Sequence, residues 1–142
     1  MNFYELLQKL HSWWAYFALI LLFLAVINAV LGYTGKKLFQ PKDLRISLFA
    51  LIFTHIQLVL GLILYIVSPL GLDSLGQMKD PAIRLTSMEH PLINIIAIIL
   101  ITIGWSKHKK VANNLKFQKI MVFYGLGLLL ILIRIPWSSW LG

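Results

Sequence analysis

Long apolar runs separated by short polar segments set the plan of the chain. Ser12–Gly35 contains no Asp, Glu, Lys or Arg, and neither does Ile46–Leu72. His90–Ser106 is a third such run, and Ile120–Ile133 a fourth that continues through Arg134 to Trp140. A helix needs about 20 mostly apolar residues to cross a bilayer. The pattern therefore predicts four spans, near 11–34, 45–68, 88–106 and 118–138, within a single domain covering residues 1–142. Short connections between consecutive spans imply antiparallel neighbours. The expected fold is all-α, an integral membrane four-helix bundle. The first apolar stretch is too long for a cleaved signal peptide and lacks a small-residue cleavage site, so it reads as a retained first helix.

Composition agrees. Of 142 residues, 59% are hydrophobic and 13% charged, with a mean hydropathy of +0.81. Soluble domains carry about a quarter charged residues, so the lipid bilayer must solvate much of this surface. Cysteine is absent, which excludes disulfides, thiolate metal sites and covalent c-type haem attachment.

The net charge of +8 is unevenly placed. Lys36, Lys37, Lys42 and Arg45 lie in the first connection. Lys107, Lys109, Lys110, Lys116 and Lys119 lie in the third. The middle connection, Pro69–Glu89, has only Lys79 and Arg84. Basic loops face the cytoplasm, so both termini and the middle loop are expected to be extracytoplasmic. The chain then reads as a protein of the bacterial cytoplasmic membrane with periplasmic N- and C-termini. The lysines act as a topology signal, and nucleic acid is not an expected partner. Trp13, Trp14, Trp137 and Trp140 fall at the predicted outer surface as an aromatic belt.

Two helix pairs run in the same sense. His11 opens the first helix and His90 the third. Leu60-Gly61-Leu62 in the second helix is echoed by Leu126-Gly127-Leu128 in the fourth. Polar groups within spans are costly and point to function. By the rise of about 1.5 Å per residue, His11, Glu89, His90 and Arg134 converge at similar outer depth. At helical spacing His11 heads a face with Ala15, Ala18, Ala25 and Ala29, and His90 one with Asn94, Ala97 and Gly104. Gly61 shares a face with Thr54, Gln57 and Tyr65. Such stripes either pack helices closely or leave room for a flat macrocycle.

Two imidazoles at equal depth on parallel helices are suited to the axial positions of one b-type haem, a construction that bundles use. In that reading His11 and His90 are the metal ligands and Arg134 meets the propionates. Asn94 or Glu89 receives an imidazole Nδ1–H. The plainer reading makes both histidines interfacial, hydrogen-bonded residues. His55 lies near mid-span, about 15 Å past Arg45, roughly 120° away from the Thr54/Gln57/Gly61/Tyr65 face. It is either a hydrogen-bonded core histidine or a proton relay, quinone contact, second cofactor ligand or subunit contact. His108, in a lysine-rich loop, is expected to be solvated.

The run Gln57-Leu58-Val59-Leu60-Gly61 through Ser68-Pro69-Leu70-Gly71, followed by Glu89-His90, resembles the Q-x-x-L-G segment and ligand histidine of the haem A synthase family. His11 is similar to the other ligand of such a four-helix half, and small membrane b-type cytochromes share the layout more loosely. The family's arginine in this segment is Tyr65 here, its arginine after the histidine is Pro91, and its extracytoplasmic cysteines and second half are missing. The resemblance implies haem ligation by His11 and His90. The expected function is a small membrane b-type cytochrome with one haem b near the outer face. It would transfer electrons with a quinol or redox protein, as a homodimer or within a larger respiratory complex. One alternative is a haem-modifying or substrate-oxidising enzyme of the synthase type with Glu89 in the reaction, in either case an oxidoreductase component if an enzyme at all; the other is a non-haem accessory subunit of a membrane complex.

Overall fold

The computed structural model describes residues 1–141 and is helical almost throughout. Helix α1 runs Phe3–Thr34 and α2 Pro41–Val67. A 3-10 segment, Leu72–Gln77, leads to α3, Pro81–Arg84. A wide π turn, Leu85–Glu89, joins α3 to α4, His90–His108. Helix α5 spans Asn113–Ile133, and a short α6, Trp137–Leu141, closes the described chain. Four helices are long and apolar enough to cross a membrane, α3 through α4 counting as one.

The spans differ from the sequence expectation at their ends. Helix α1 starts eight residues before His11. Asn2 Oδ1 accepts from the Glu5 N–H at 2.8 Å while the Glu5 carboxylate accepts from the Asn2 N–H. That capping box satisfies the first-turn donors, and α1 extends for about 48 Å. The third span starts at Pro81, where Asp80 Oδ1 accepts from the Ala82 N–H at 3.0 Å. Pro91 has no N–H to give the Ser87 carbonyl and its ring crowds that carbonyl. The helix widens there instead of breaking, and the His90 N–H reaches the Leu85 carbonyl. The last span stops at Ile133, and Pro136 separates it from α6.

The packed neighbours are α1 with α2, α2 with α4, α4 with α5, and α5 with α1. This closes a four-cornered bundle in which α1 and α4 stand diagonally opposite. The interior is lined by Leu22, Ala25 and Ala29 of α1, Ala50 of α2, Ala97 and Ile101 of α4, and Ile120 and Tyr124 of α5. Small residues decide how near the backbones come. A Cβ on Gly127 would lie 2.7 Å from the Ile101 side chain, and one on Gly32 would run into the Phe117 ring. Large aliphatic side chains such as Ile20, Val59 and Ile99 face outward, each more than half exposed.

One end is tied by polar contacts. Asp43, 3% exposed, accepts from the Asn28 amide at 2.9 Å and from the Gln40 N–H at 2.8 Å. Asn113 both accepts from the Phe39 N–H and donates to the Phe39 carbonyl, so the first and third connections meet. The nine Lys and Arg residues of those two connections therefore gather at the same end. His108 is not solvated as expected. It is 1% exposed and lies between Phe39 and Trp105, and Lys116 Nζ donates to its carbonyl at 2.7 Å. Residues 107–110 look hydrophilic as a run, but the Phe39 ring folds back over His108.

Candidate functional site

At the opposite end a cavity of about 220 Å³ opens inside the bundle. His11 of α1 and His90 of α4 both line it, on diagonal corners. Their ring centres are 6.2 Å apart with planes at 79°. Part of each face expected beside the histidines borders the space, Ala15 and Ala18 on α1 and Asn94 on α4, as do Thr54, Gln57, Gly61 and Tyr65 on α2, whereas Ala25, Ala29, Ala97 and Gly104 are buried away from it. Ile131 and Ile135 close the α5 side.

Each ring is held differently. His90 Nδ1 lies 2.9 Å from the Arg134 carbonyl. A carbonyl only accepts, so Nδ1 carries the hydrogen and Nε2 keeps its lone pair. The Asn94 amide lies 3.0 Å from the same Nδ1 and donates to the His90 carbonyl at 2.6 Å. His11 is fixed through its backbone, whose carbonyl accepts from Gln57 Nε2 at 2.8 Å. Gly61 makes room for the ring, since a Cβ there would stand 3.0 Å from His11 Cε1. His11 Nδ1 and Gln57 Oε1 are both buried without a hydrogen-bond partner.

The other expected site residues lie apart from the rings. Arg134 ends α5 and offers its main-chain carbonyl to His90, while its guanidinium donates to the Ile133 carbonyl at 3.2 Å. Glu89 pairs with Arg84 at 3.6 Å. Neither Arg134 nor Glu89 borders the cavity. The receiver of the His90 Nδ1–H is thus a backbone carbonyl of α5, which no side-chain reading could nominate.

The structure adds Tyr4, Gln8 and Ser12 from the first turns of α1 and Ser139 and Trp140 from α6. Tyr4, Gln8, Ser12 and Ala15 follow helical spacing into the histidine face. That periodicity and the Asn2–Glu5 box were available signals once α1 is started at Phe3. Lys9 borders an adjoining, more open recess that shares Gln8, Ser12, Ser139 and Trp140 with the main cavity. It supplies a cation at the mouth.

His55 is outside the cavity. Its Nδ1 lies 2.7 Å from the Leu51 carbonyl and its Nε2 3.2 Å from Thr102 Oγ1 on α4. Among the described residues no group of three or more His, Cys, Asp or Glu is gathered for a metal, so any metal here rests on paired ligands and what they leave open.

Two imidazoles with ring centres 6.2 Å apart and no third ligand beside them among the described residues would suit a metal whose remaining positions a macrocycle supplies, and His11 and His90 would be the residues to hold it. The buried His11 Nδ1 and Gln57 Oε1 form a donor and acceptor that a ligated His11 would use. No family model, no curated protein and no solved structure matches this chain.

Proposed function

We propose that the chain is an integral membrane b-type cytochrome, with His11 and His90 as axial ligands of one haem b, working in electron transfer. The observation that carries this reading is the pair of diagonal imidazoles at 6.2 Å across a cavity flanked by Ala15, Ala18 and Gly61. Iron with both axial positions filled by imidazole is suited to one-electron exchange.

The protein's own groups have defined tasks. The Arg134 carbonyl holds the His90 Nδ1–H and aims Nε2 inward. Gln57 anchors the backbone at His11. Lys9 borders the adjoining recess and would be a cation for propionates, with Arg134 turned to its own backbone. The basic end lies opposite the histidines, and positively charged loops favour the cytoplasm. The haem end and both termini are then extracytoplasmic, periplasmic in a bacterial inner membrane. There the haem would exchange electrons with a quinol or a redox protein, in a homodimer or a larger respiratory complex.

The test is an absorbance spectrum of the purified protein after haem-replete expression, repeated for His11→Ala and His90→Ala. The reading expects a Soret band that sharpens and moves to the red on reduction, when the separate α and β bands of a low-spin haem appear in the visible. Each alanine variant should remove that low-spin signature while circular dichroism stays helical. A colourless, folded wild-type protein would overturn it.

A further inference from the structure

The net charge of the chain stands at one end of the bundle. At the histidine end four cations, Lys9, Lys79, Arg84 and Arg134, are matched by four carboxylates, Glu5, Asp73, Asp80 and Glu89. The nine Lys and Arg residues of the first and third connections share their end with one carboxylate, Asp43. It is 3% exposed and already accepts from Asn28 and from the Gln40 N–H. The whole excess of +8 therefore sits here. Seven of the nine cations are exposed, and among the described residues none of the nine pairs with a carboxylate.

The fold draws these like charges together. The Asn113 side chain holds both main-chain groups of Phe39, at 2.9 and 3.0 Å, and so ties the third connection to the first. Lys116 Nζ reaches back across its own turn to the His108 carbonyl, and Lys109 Nζ lies 4.8 Å from the centre of the Trp105 ring. Helix α5 adds to the positive field. Its N-cap, Ala112, makes no side-chain bond and its first turn has no acidic residue. No side chain therefore caps its leading N–H groups, which form the positive end of the helix dipole. Cations gathered in this way repel one another unless an anion is supplied from outside.

The position of the patch says where that anion comes from. All four apolar helices begin or end here, which sets the lysines at the level of the lipid headgroups. Leu38, 72% exposed beside Lys37, and Tyr33 and Leu115, 42% and 39% exposed, place apolar groups among them. Cations with an apolar margin match a phosphate that stands above acyl chains, and basic segments beside a span attract anionic lipid. A water-soluble acidic partner would match the charge and leave the apolar margin without a counterpart.

We infer that this end of the bundle is a docking surface for anionic phospholipids, whose phosphates settle among the lysines of the two joined connections and at the N-terminus of α5. The bound lipid offsets the repulsion and holds the connections together. The inference rests on charge and position and is independent of the cytochrome reading.

The experiment uses the full chain in nanodiscs of phosphatidylcholine with a rising share of phosphatidylglycerol. Thermal unfolding is followed by circular dichroism, and retained lipid is counted by native mass spectrometry. Phosphatidylglycerol should raise the thermal midpoint and be retained in preference to phosphatidylcholine. Added salt should raise the midpoint in pure phosphatidylcholine, where it screens the repulsion, and shrink the gain from phosphatidylglycerol. The combined variant Lys37→Gln, Lys107→Gln and Lys110→Gln should lose the preference by at least about tenfold. Its midpoint in phosphatidylcholine should equal or exceed wild type, which separates lost lipid binding from lost folding. Lys79→Gln, at the opposite end, should keep the preference. Equal retention of the two lipids, an unchanged preference in the triple variant, or the same gain in midpoint from inorganic phosphate or soluble polyglutamate in pure phosphatidylcholine would overturn the inference.

Discussion

Gly61→Ala separates the stability of the bundle from its capacity to hold a metal between the two histidines. The added methyl would sit 3.0 Å from His11 Cε1 and 3.5 Å from Nδ1. Carbon atoms prefer about 3.5–4.0 Å, so the ring must retreat by roughly 0.5–1 Å. It cannot do so freely, because Gln57 holds the His11 carbonyl at 2.8 Å. Metal–ligand distances tolerate about 0.2 Å, so the displacement is several times what ligation allows. The same substitution gains about 1 kcal/mol of helix propensity in the interior of α2. The two effects have opposite signs.

The expected outcome is a protein whose helical content and haem-free thermal midpoint in detergent equal or exceed wild type, but whose haem occupancy falls about 10–100-fold, the range seen when ligand support is disturbed. Gly125→Ala is the control, since nothing lies within 4 Å of its new Cβ; it should keep full occupancy. Haem per protein is read by the pyridine haemochrome assay and stability by thermal circular dichroism. Wild-type occupancy and an unshifted Soret band in Gly61→Ala would refute the assignment of His11 as a ligand packed against Gly61.

Three further outcomes follow from named contacts. Gln57→Leu removes the donor to the His11 carbonyl and a buried acceptor that has no partner; the haem midpoint potential should move, and Gln57→Glu, which keeps an acceptor but has no N–H for that carbonyl and adds a negative charge, should lower it, and identical potentials in all three proteins would count against the positioning role. Tyr124→Phe deletes a buried hydroxyl that donates to the Ser47 carbonyl at 2.8 Å and should lower unfolding stability by about 1 kcal/mol, measured by denaturation in detergent. Lys36 ends the first helix at φ 51°, a region that glycine occupies without a Cβ penalty, so Lys36→Gly should stabilise by roughly 1 kcal/mol in the same assay; a loss would show that the lysine side chain outweighs its backbone strain.

The parts of this fold legible in the sequence were those that lipid imposes. A span must be apolar for about 20 residues, so the four helices announce themselves, and small residues at helical spacing mark which faces meet. The Ala18, Ala25 and Ala29 stripe is buried as its spacing implies. Hydropathy is blind where a helix leaves the bilayer. Residues 3–10 and 81–89 contain Glu5, Lys9, Arg84 and Glu89 and so look like connections, yet capping by Asn2 and Asp80 makes them helical. That is why Tyr4 and Gln8 were missing from the expected site. Arg134 and Glu89, expected beside the two rings, do not border the cavity, because side-chain direction at a helix end depends on how the end is terminated. Arg134 has left helical geometry, with φ −120°, and its guanidinium follows the backbone away from the cavity.

The same termination explains how two nearly identical histidine positions come to be unequal. Because α5 ends at Ile133, the Arg134 carbonyl has no later N–H to accept from within the helix. It is free for the His90 Nδ1–H. Pro91 widens the helix one turn earlier and sets His90 at the register where that carbonyl is reached. His90 is thus locked by two main-chain irregularities. His11 sits inside the regular helix α1, where every nearby carbonyl is occupied, and its Nδ1 is left for whatever Gln57 and the cavity provide. One ring is held at its own nitrogen and the other only through its backbone.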